Sequence, residues 1–333
     1  MELTWSYLAP LIFMAVMGLA LLIYVVLDGY DIGVGILLPF ASDDDKDVMI
    51  SSIGPFWDAN ETWLVLGVGV LLTAFPLAHG VVLTALYLPV AIMLIGLILR
   101  GVAFDFRVKA HINHKPFWNR IFAIGSYVMA VSQGWMLGSY ITGFGDTLWP
   151  LVFSAGIALT LPAAYAMLGA GWLIMKTSDN LQANAAAWGQ AVLWPMGIAL
   201  AGISLATPLV SATVFAKWFS FPELFALLPI PLICMTAFFA IRHVLASPKV
   251  VQAGYGWIVF ASTVLIFIMA FFGLAYSLFP YIVIDRMSVW QAASATESLT
   301  ILFVGVAIAL PAIFGYTVLM YRGFWGKARE LTY

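Results

Sequence analysis

Two pairs of carboxylates, each pair spaced three residues apart, stand where carboxylates are costly. Asp28 and Asp31 lie in Val26-Leu27-Asp28-Gly29-Tyr30-Asp31-Ile32-Gly33-Val34-Gly35, and Asp58 and Glu61 in Trp57-Asp58-Ala59-Asn60-Glu61-Thr62-Trp63. On a helix that step puts both acids on one face. Arg100 ends the apolar run 91–99 and precedes Asp105 by five residues, about 7.5 Å along a helix. Ionisable groups at membrane depth are expensive and usually functional. Carboxyls in a dry site hold their protons more tightly unless paired, so such groups suit proton uptake and relay. The row from Asp105 through Asp58 to Asp31, with Glu61 and Asp28 beside it, reads as a half-channel open to one side. Asp58 is expected to be its deepest acid within the tryptophan-flanked motif, and Arg100 a charge partner for Asp58, Glu61 or Asp31.

Less chemical readings stand beside this one. Asp28 and Asp31 could cap a span at the headgroups, and Asp58 with Glu61 could match a helix dipole. Arg100 could snorkel to the interface, and Asp105 with Lys109 could form a solvated helix end. Gly29 and Gly33 allow close helix approach. Trp57, Asn60 and Trp63 give the second motif its unusually polar, tryptophan-flanked character.

Other residues offer little chemistry. His79, His111, His114 and His243 fall in loops or at helix ends, so no histidine is placed mid-membrane as a haem ligand. Glu297 reads as a helix cap. Cys234 is the single cysteine, which excludes a disulfide framework and a cysteine metal cluster. No phosphate loop, nucleophile elbow or metal-binding spacing occurs, and no metal site or catalytic residue is expected. A net charge of -2 without a basic tract excludes nucleic acid as a partner.

The elements that must position these acids are membrane helices. The 333 residues are 63% hydrophobic and only 9% charged, whereas soluble domains carry roughly 25% charged residues. Runs of about 20 apolar residues place spans at 7–27 (extending toward 39), 53–74, 80–102, 119–141, 150–175, 187–208, 223–244, 255–279 and 298–320. The reading is an all-α integral membrane protein in lipid, a single membrane domain over 1–333. It has about nine helices, arranged as two four-helix bundles (spans 1–4 and 5–8) plus one peripheral helix. Pro162, Pro195 and Pro311 fall inside spans and are expected to kink them.

Loops after odd-numbered spans share a side with the carboxyl terminus. That side carries Lys46, Arg107, Lys109, Lys115, Arg120, Lys176, Arg242, Lys249, Arg322, Lys327 and Arg329; the other carries Lys217 and Arg286. The positive-inside rule then puts the carboxyl terminus in the cytoplasm and the amino terminus outside. The first apolar run is preceded only by Glu2 and lacks a small-residue cleavage site, so it reads as a span and not a removable signal.

The two acidic motifs, together with Arg100-Gly101-Val102-Ala103-Phe104-Asp105-Phe106-Arg107, resemble subunit II of the cytochrome bd-type quinol oxidases, a group that includes the cyanide-insensitive oxidases. The resemblance runs along essentially the whole chain, including Gly169-Ala170-Gly171-Trp172-Leu173-Ile174-Met175-Lys176-Thr177. One departure is Glu61, where family members often carry Gln. The resemblance implies a bacterial inner-membrane complex that oxidises quinol and reduces O2 to water, with protons drawn from the cytoplasm. It implies a larger subunit I bearing haems b558, b595 and d, and a subunit II that ligates no haem, shapes the complex and lines a proton route. A structural quinone and a single-helix third subunit also belong to the family's repertoire. The competing readings are a proton-coupled transporter and a purely structural assembly subunit.

Overall fold

The computed structural model describes residues 4–328, so Glu2 and Arg329 lie outside the described residues. Helix α1 (Trp5–Leu37) leads through a 3-10 turn at Leu38–Phe40 into α2 (Asp43–Ile53), then α3 (Trp57–Ala74), α4 (Pro76–Lys109), α5 (Lys115–Ile141), α6 (Leu148–Lys176) and α7 (Asp179–Val210). Short helices α8 (Ala212–Trp218) and α9 (Glu223–Leu227) precede α10 (Pro229–Leu245); α11 (Pro248–Val250) and a π turn precede α12 (Trp257–Leu278). A small hairpin, β1 (Tyr281–Val283) paired antiparallel with β2 (Met287–Ser288), leads to α13 (Val289–Ala292) and α14 (Thr296–Gly323).

Among the described residues eight helices are long and apolar enough to cross a bilayer. The remaining expected span, α3, has 18 residues, about 27 Å of helix. It falls outside the eight because Asp58, Asn60 and Glu61 fill its opening turns, yet it packs lengthwise against α1. One bundle comprises α1, α3, α4 and α5, and the other α6, α7, α10 and α12. They join through α6 against α1 and α5, while α14 leans on α3 and α1 from outside. Pro162, Pro195 and Pro311 lie inside continuous helices, as do Pro10, Pro89 and Pro208.

Close packing at the joint depends on glycine. A Cβ on Gly33 would collide with the Tyr165 carbonyl oxygen, and one on Gly169 with the Gly33 backbone, so α1 and α6 touch backbone to backbone. The acidic run 42–47 is more than a break. Ser42 Oγ accepts from Asp45 N at 3.2 Å and starts α2, whose first turn carries Asp43, Asp44 and Asp45, a favourable match to the helix dipole. Met49, Ile50 and Ile53 then bury one face of α2 against the bundle.

Most of the basic residues gather at one end of the molecule. Lys176 Nζ donates to Phe324 O at 2.8 Å and Lys327 Nζ to Thr177 O at 2.5 Å, tying the end of α14 to the end of α6. At the opposite end Lys217 donates to the carbonyls that close α12. The β hairpin packs there over Ala9, Phe13, Phe75 and Ala78.

Candidate functional site

The second half of α1 presents two carboxylates to the bundle interior. Asp28 and Asp31 are both 0% exposed, and Arg100 of α4 is 2% exposed. Arg100 Nη2 lies 2.5 Å from Asp28 Oδ1 and 2.5 Å from Glu61 Oε1, so one nitrogen joins α1, α3 and α4. Arg100 is therefore the internal counter-ion. Its partners are Asp28 and Glu61, not Asp58 or Asp31. A buried pair of this kind is worth most when broken on one side only, because the survivor is then an unpaired charge in low dielectric.

Asp31 is held differently. Asn60 Nδ2 donates to Asp31 Oδ2 at 2.7 Å and to Tyr30 Oη at 2.9 Å. Tyr30 and Tyr321 hydroxyls meet at 2.6 Å, and Tyr321 donates to Asn60 Oδ1 at 3.1 Å. These four residues form a closed polar cluster, roofed by Trp172 stacked on Tyr30 at 4.1 Å between ring centroids. A second branch starts one turn before Asp28, where Tyr24 accepts from Gln133 Nε2 at 2.8 Å and Gln133 Oε1 accepts from Tyr165 at 2.5 Å. Trp63 is buried and donates to Thr317 Oγ1 at 3.1 Å, fixing α14 to α3. Trp57 packs on Phe104 at 5.1 Å and brings the start of α3 against α4. Gly29 faces the Tyr165 ring, where a Cβ would come within 2.9 Å.

One expectation needs correction: Asp58 is not the deepest acid. It is exposed on the outer face of α3, and Asp105 is exposed on the outer face of α4, the two close enough for their charges to interact. The cause is helical phase. Each residue turns the helix by about 100°. With Asn60 fully buried, Asp58 points about 200° away from it, and Asp105 points about 140° away from the buried Arg100. Glu61, with 21% of its side chain exposed, lies between the surface acids and the buried ones. Asp105 and Lys109 form no ion pair among the described residues.

Sequence reasoning missed several members. Arg107, counted only as a basic loop residue, is 4% exposed. Its Nη2 lies 2.5 Å from Asp47 Oδ1 and its Nε donates to Asn119 Oδ1 at 2.5 Å, while Lys115 reaches Asp47 at 3.0 Å. Burial alone would raise the Asp47 pKa, but hydrogen bonds and charge from Lys115 and Arg107 outweigh it and hold the carboxyl below its ordinary value. The signal was present, since seven residues bring a helix back to nearly the same face and so set Arg107 below Arg100. Gln133, polar in the middle of an apolar span, was equally visible.

Among the described residues, His111, His114 and His243 are exposed at helix ends, and half-buried His79 stands in the first turn of α4. Among the described residues no three histidine, cysteine or acidic groups converge to hold a metal ion. The arrangement can hold, share and move protons, and it can lock three helices electrostatically.

Comparison with known proteins agrees with this architecture. A 105-residue stretch is 41% identical to the Bacillus subtilis cytochrome bd ubiquinol oxidase subunit 2, covering 31% of each chain. A 129-residue stretch is 33% identical to the Escherichia coli K12 cytochrome bd-I ubiquinol oxidase subunit 2, covering 38% of this chain and 34% of that one. These two matches thus span about a third of each relative's length. A probable cytochrome oxidase subunit 2 of Haemophilus influenzae is 25% identical across 91% of this chain and 90% of its own. The fold matches the solved bd oxidase from Geobacillus thermodenitrificans with a TM-score of 0.73 at 16% identity, over 95% of this chain and 98% of that one. The chain is a multi-pass protein of the bacterial inner membrane. The family model of cytochrome bd terminal oxidase subunit II matches residues 9–324, and the chain belongs to that family.

Proposed function

We propose that this chain is the non-haem-ligating subunit of a quinol:O2 oxidoreductase in aerobic respiration, inactive alone, folded as a single membrane domain. It braces a subunit I that carries haems b558, b595 and d, and it lines a proton-uptake route from the cytoplasm for O2 reduction to water. A structural quinone, a single-helix third subunit and surrounding lipid complete the assembly. The observation that carries this reading is the gradient of exposure among the acids: Asp105 and Asp58 outermost, Glu61 half-buried, Asp28 and Asp31 fully enclosed. Protons entering at the exposed pair meet Glu61 next, then the Arg100-linked core. All of these groups lie nearer the end that gathers most of the basic residues, which is the cytoplasmic end under the positive-inside rule. A transporter site is usually built near the midplane between repeats, and this one-sided cluster fits uptake better.

The test of class is a visible absorption spectrum of the gently purified complex. Haem d absorbance in the red and a second, larger subunit are expected, with no stoichiometric haem on this chain expressed alone. Haem bound stoichiometrically to the isolated chain would overturn the assignment of the haems to subunit I.

A further inference from the structure

We infer that Asp28 and Asp31 hold one proton between them, Asp31 as the acid and Asp28 as the carboxylate, forming a proton-binding dyad in the centre of the bundle. Its use in turnover rests on the uptake reading above, whereas its existence does not.

Each carboxyl has one oxygen accounted for and one that is not. Asp28 Oδ1 meets Arg100, and Asp31 Oδ2 accepts from Asn60. Asp28 Oδ2 and Asp31 Oδ1 are buried without a hydrogen-bond partner, as is Arg100 Nη1, and the Tyr24 hydroxyl lies within hydrogen-bonding reach of the Asp28 carboxyl. The two residues are three apart on one helix face. A buried acceptor without a partner costs about 1–3 kcal/mol, more when charged. One O–H, on Asp31 and directed at Asp28, satisfies both orphaned oxygens, either directly or through a single water.

Charge leads to the same arrangement. The groups around the dyad are Arg100 from α4, Glu61 and Asn60 from α3, Tyr24 and Tyr30 on α1, Tyr165 from α6 and Tyr321 from α14. Three carboxyls thus face a single guanidinium, which is always charged and is directed at Asp28 and Glu61. An ionised Asp31 would have one amide N–H and no cation, at 0% exposure, and an unpaired buried ion costs several kcal/mol. A bound metal ion is the other way to balance such charge, but no three candidate ligands converge among the described residues. Arg100 decides which partner carries the proton, because it ion-pairs Asp28 and not Asp31.

The test is infrared spectroscopy of the purified complex at neutral pH, comparing unlabelled protein with protein carrying 13C-aspartate. The isotope difference separates aspartic C=O bands from lipid esters and haem propionates. A protonated-aspartate band is expected in the wild type and in Asp58→Asn, and absent in Asp31→Asn. Asp31→Asn is also expected to keep haem content within about twofold, because its amide can donate to Asp28 as the acid does, while Asp28→Asn loses at least about fivefold. Should Asp31→Asn fail to assemble, Asp31→Glu decides, since a glutamate escapes the aspartate label and its band leaves the isotope difference. The absence of such a band in the wild type, or its survival in the Asp31 variants, overturns the dyad. Wild-type turnover in Asp58→Asn would end the uptake route while leaving the band in place.

Discussion

Replacing Arg100 by Gln removes the charge that joins three helices and leaves Asp28 without a cation. Asp28 is 0% exposed and Arg100 2%, so water cannot take the guanidinium's place. Removing one partner of a buried pair typically costs 3–5 kcal/mol. At about 1.4 kcal/mol per tenfold, that is a loss of roughly two to four orders of magnitude in the ratio of assembled to unassembled protein. Glu61 is the less affected partner, because 21% of its side chain is exposed. The assay is haem content per mole of purified complex, with thermal melting of whatever assembles. Arg100→Gln is expected to assemble poorly, and the double variant Asp28→Asn/Arg100→Gln to assemble better than either single one. The coupling between the two sites should exceed about 1 kcal/mol. An Arg100→Gln complex with wild-type haem content and melting, or a double variant with no recovery, would refute the reasoning.

Gly33→Val should abolish assembly, because its side chain would enter the α6 backbone; Gly156→Ala, which meets nothing within 4 Å, should be neutral, both read from haem content. Asp47, held below its ordinary pKa by Lys115 and Arg107, contributes stability above the unfolded carboxylate range that is lost as pH falls through its folded value. Melting between about pH 3 and 6 should therefore show a steeper acid loss in wild type than in Asp47→Asn. The difference should stay within about 1 kcal/mol because the pair is partly solvent-screened. With Cys234 replaced, single cysteines in 107–118 and 245–253 should resist labelling from outside whole cells, while those in 143–149 and 280–296 should label. Labelling at 110 but not at 145 would invert the topology.

Hydropathy made most of the fold legible, because a lipid-facing helix advertises itself along its whole length. Span limits moved mainly where polar residues continue a helix past the apolar run, as at 103–109 of α4 and 179–186 of α7. The acid motifs were legible as motifs, since carboxylates inside apolar runs are rare. Their facing was not, because spacing fixes relative phase and not which side meets the core. Asn60 inward and Asp58 outward are the same helix rotated by two residues. The tyrosine and glutamine branches through Tyr24, Gln133, Tyr165, Tyr30 and Tyr321 join residues up to 291 positions apart, and no local pattern announces such a meeting.

The claim that protons for O2 reduction enter through this subunit is tested most directly by oxygen uptake of the Asp58→Asn complex, with haem content measured on the same preparation. The substitution keeps the size and polarity of an exposed side chain and removes only its titratable proton. Assembly and haem content should remain near wild type while quinol oxidase turnover falls at least about tenfold, roughly 1.4 kcal/mol in barrier. Asp105→Asn should fall less, because water at the mouth can substitute. An Asp58→Asn complex that assembles and turns over at the wild-type rate would contradict the uptake route and leave this subunit as a structural brace.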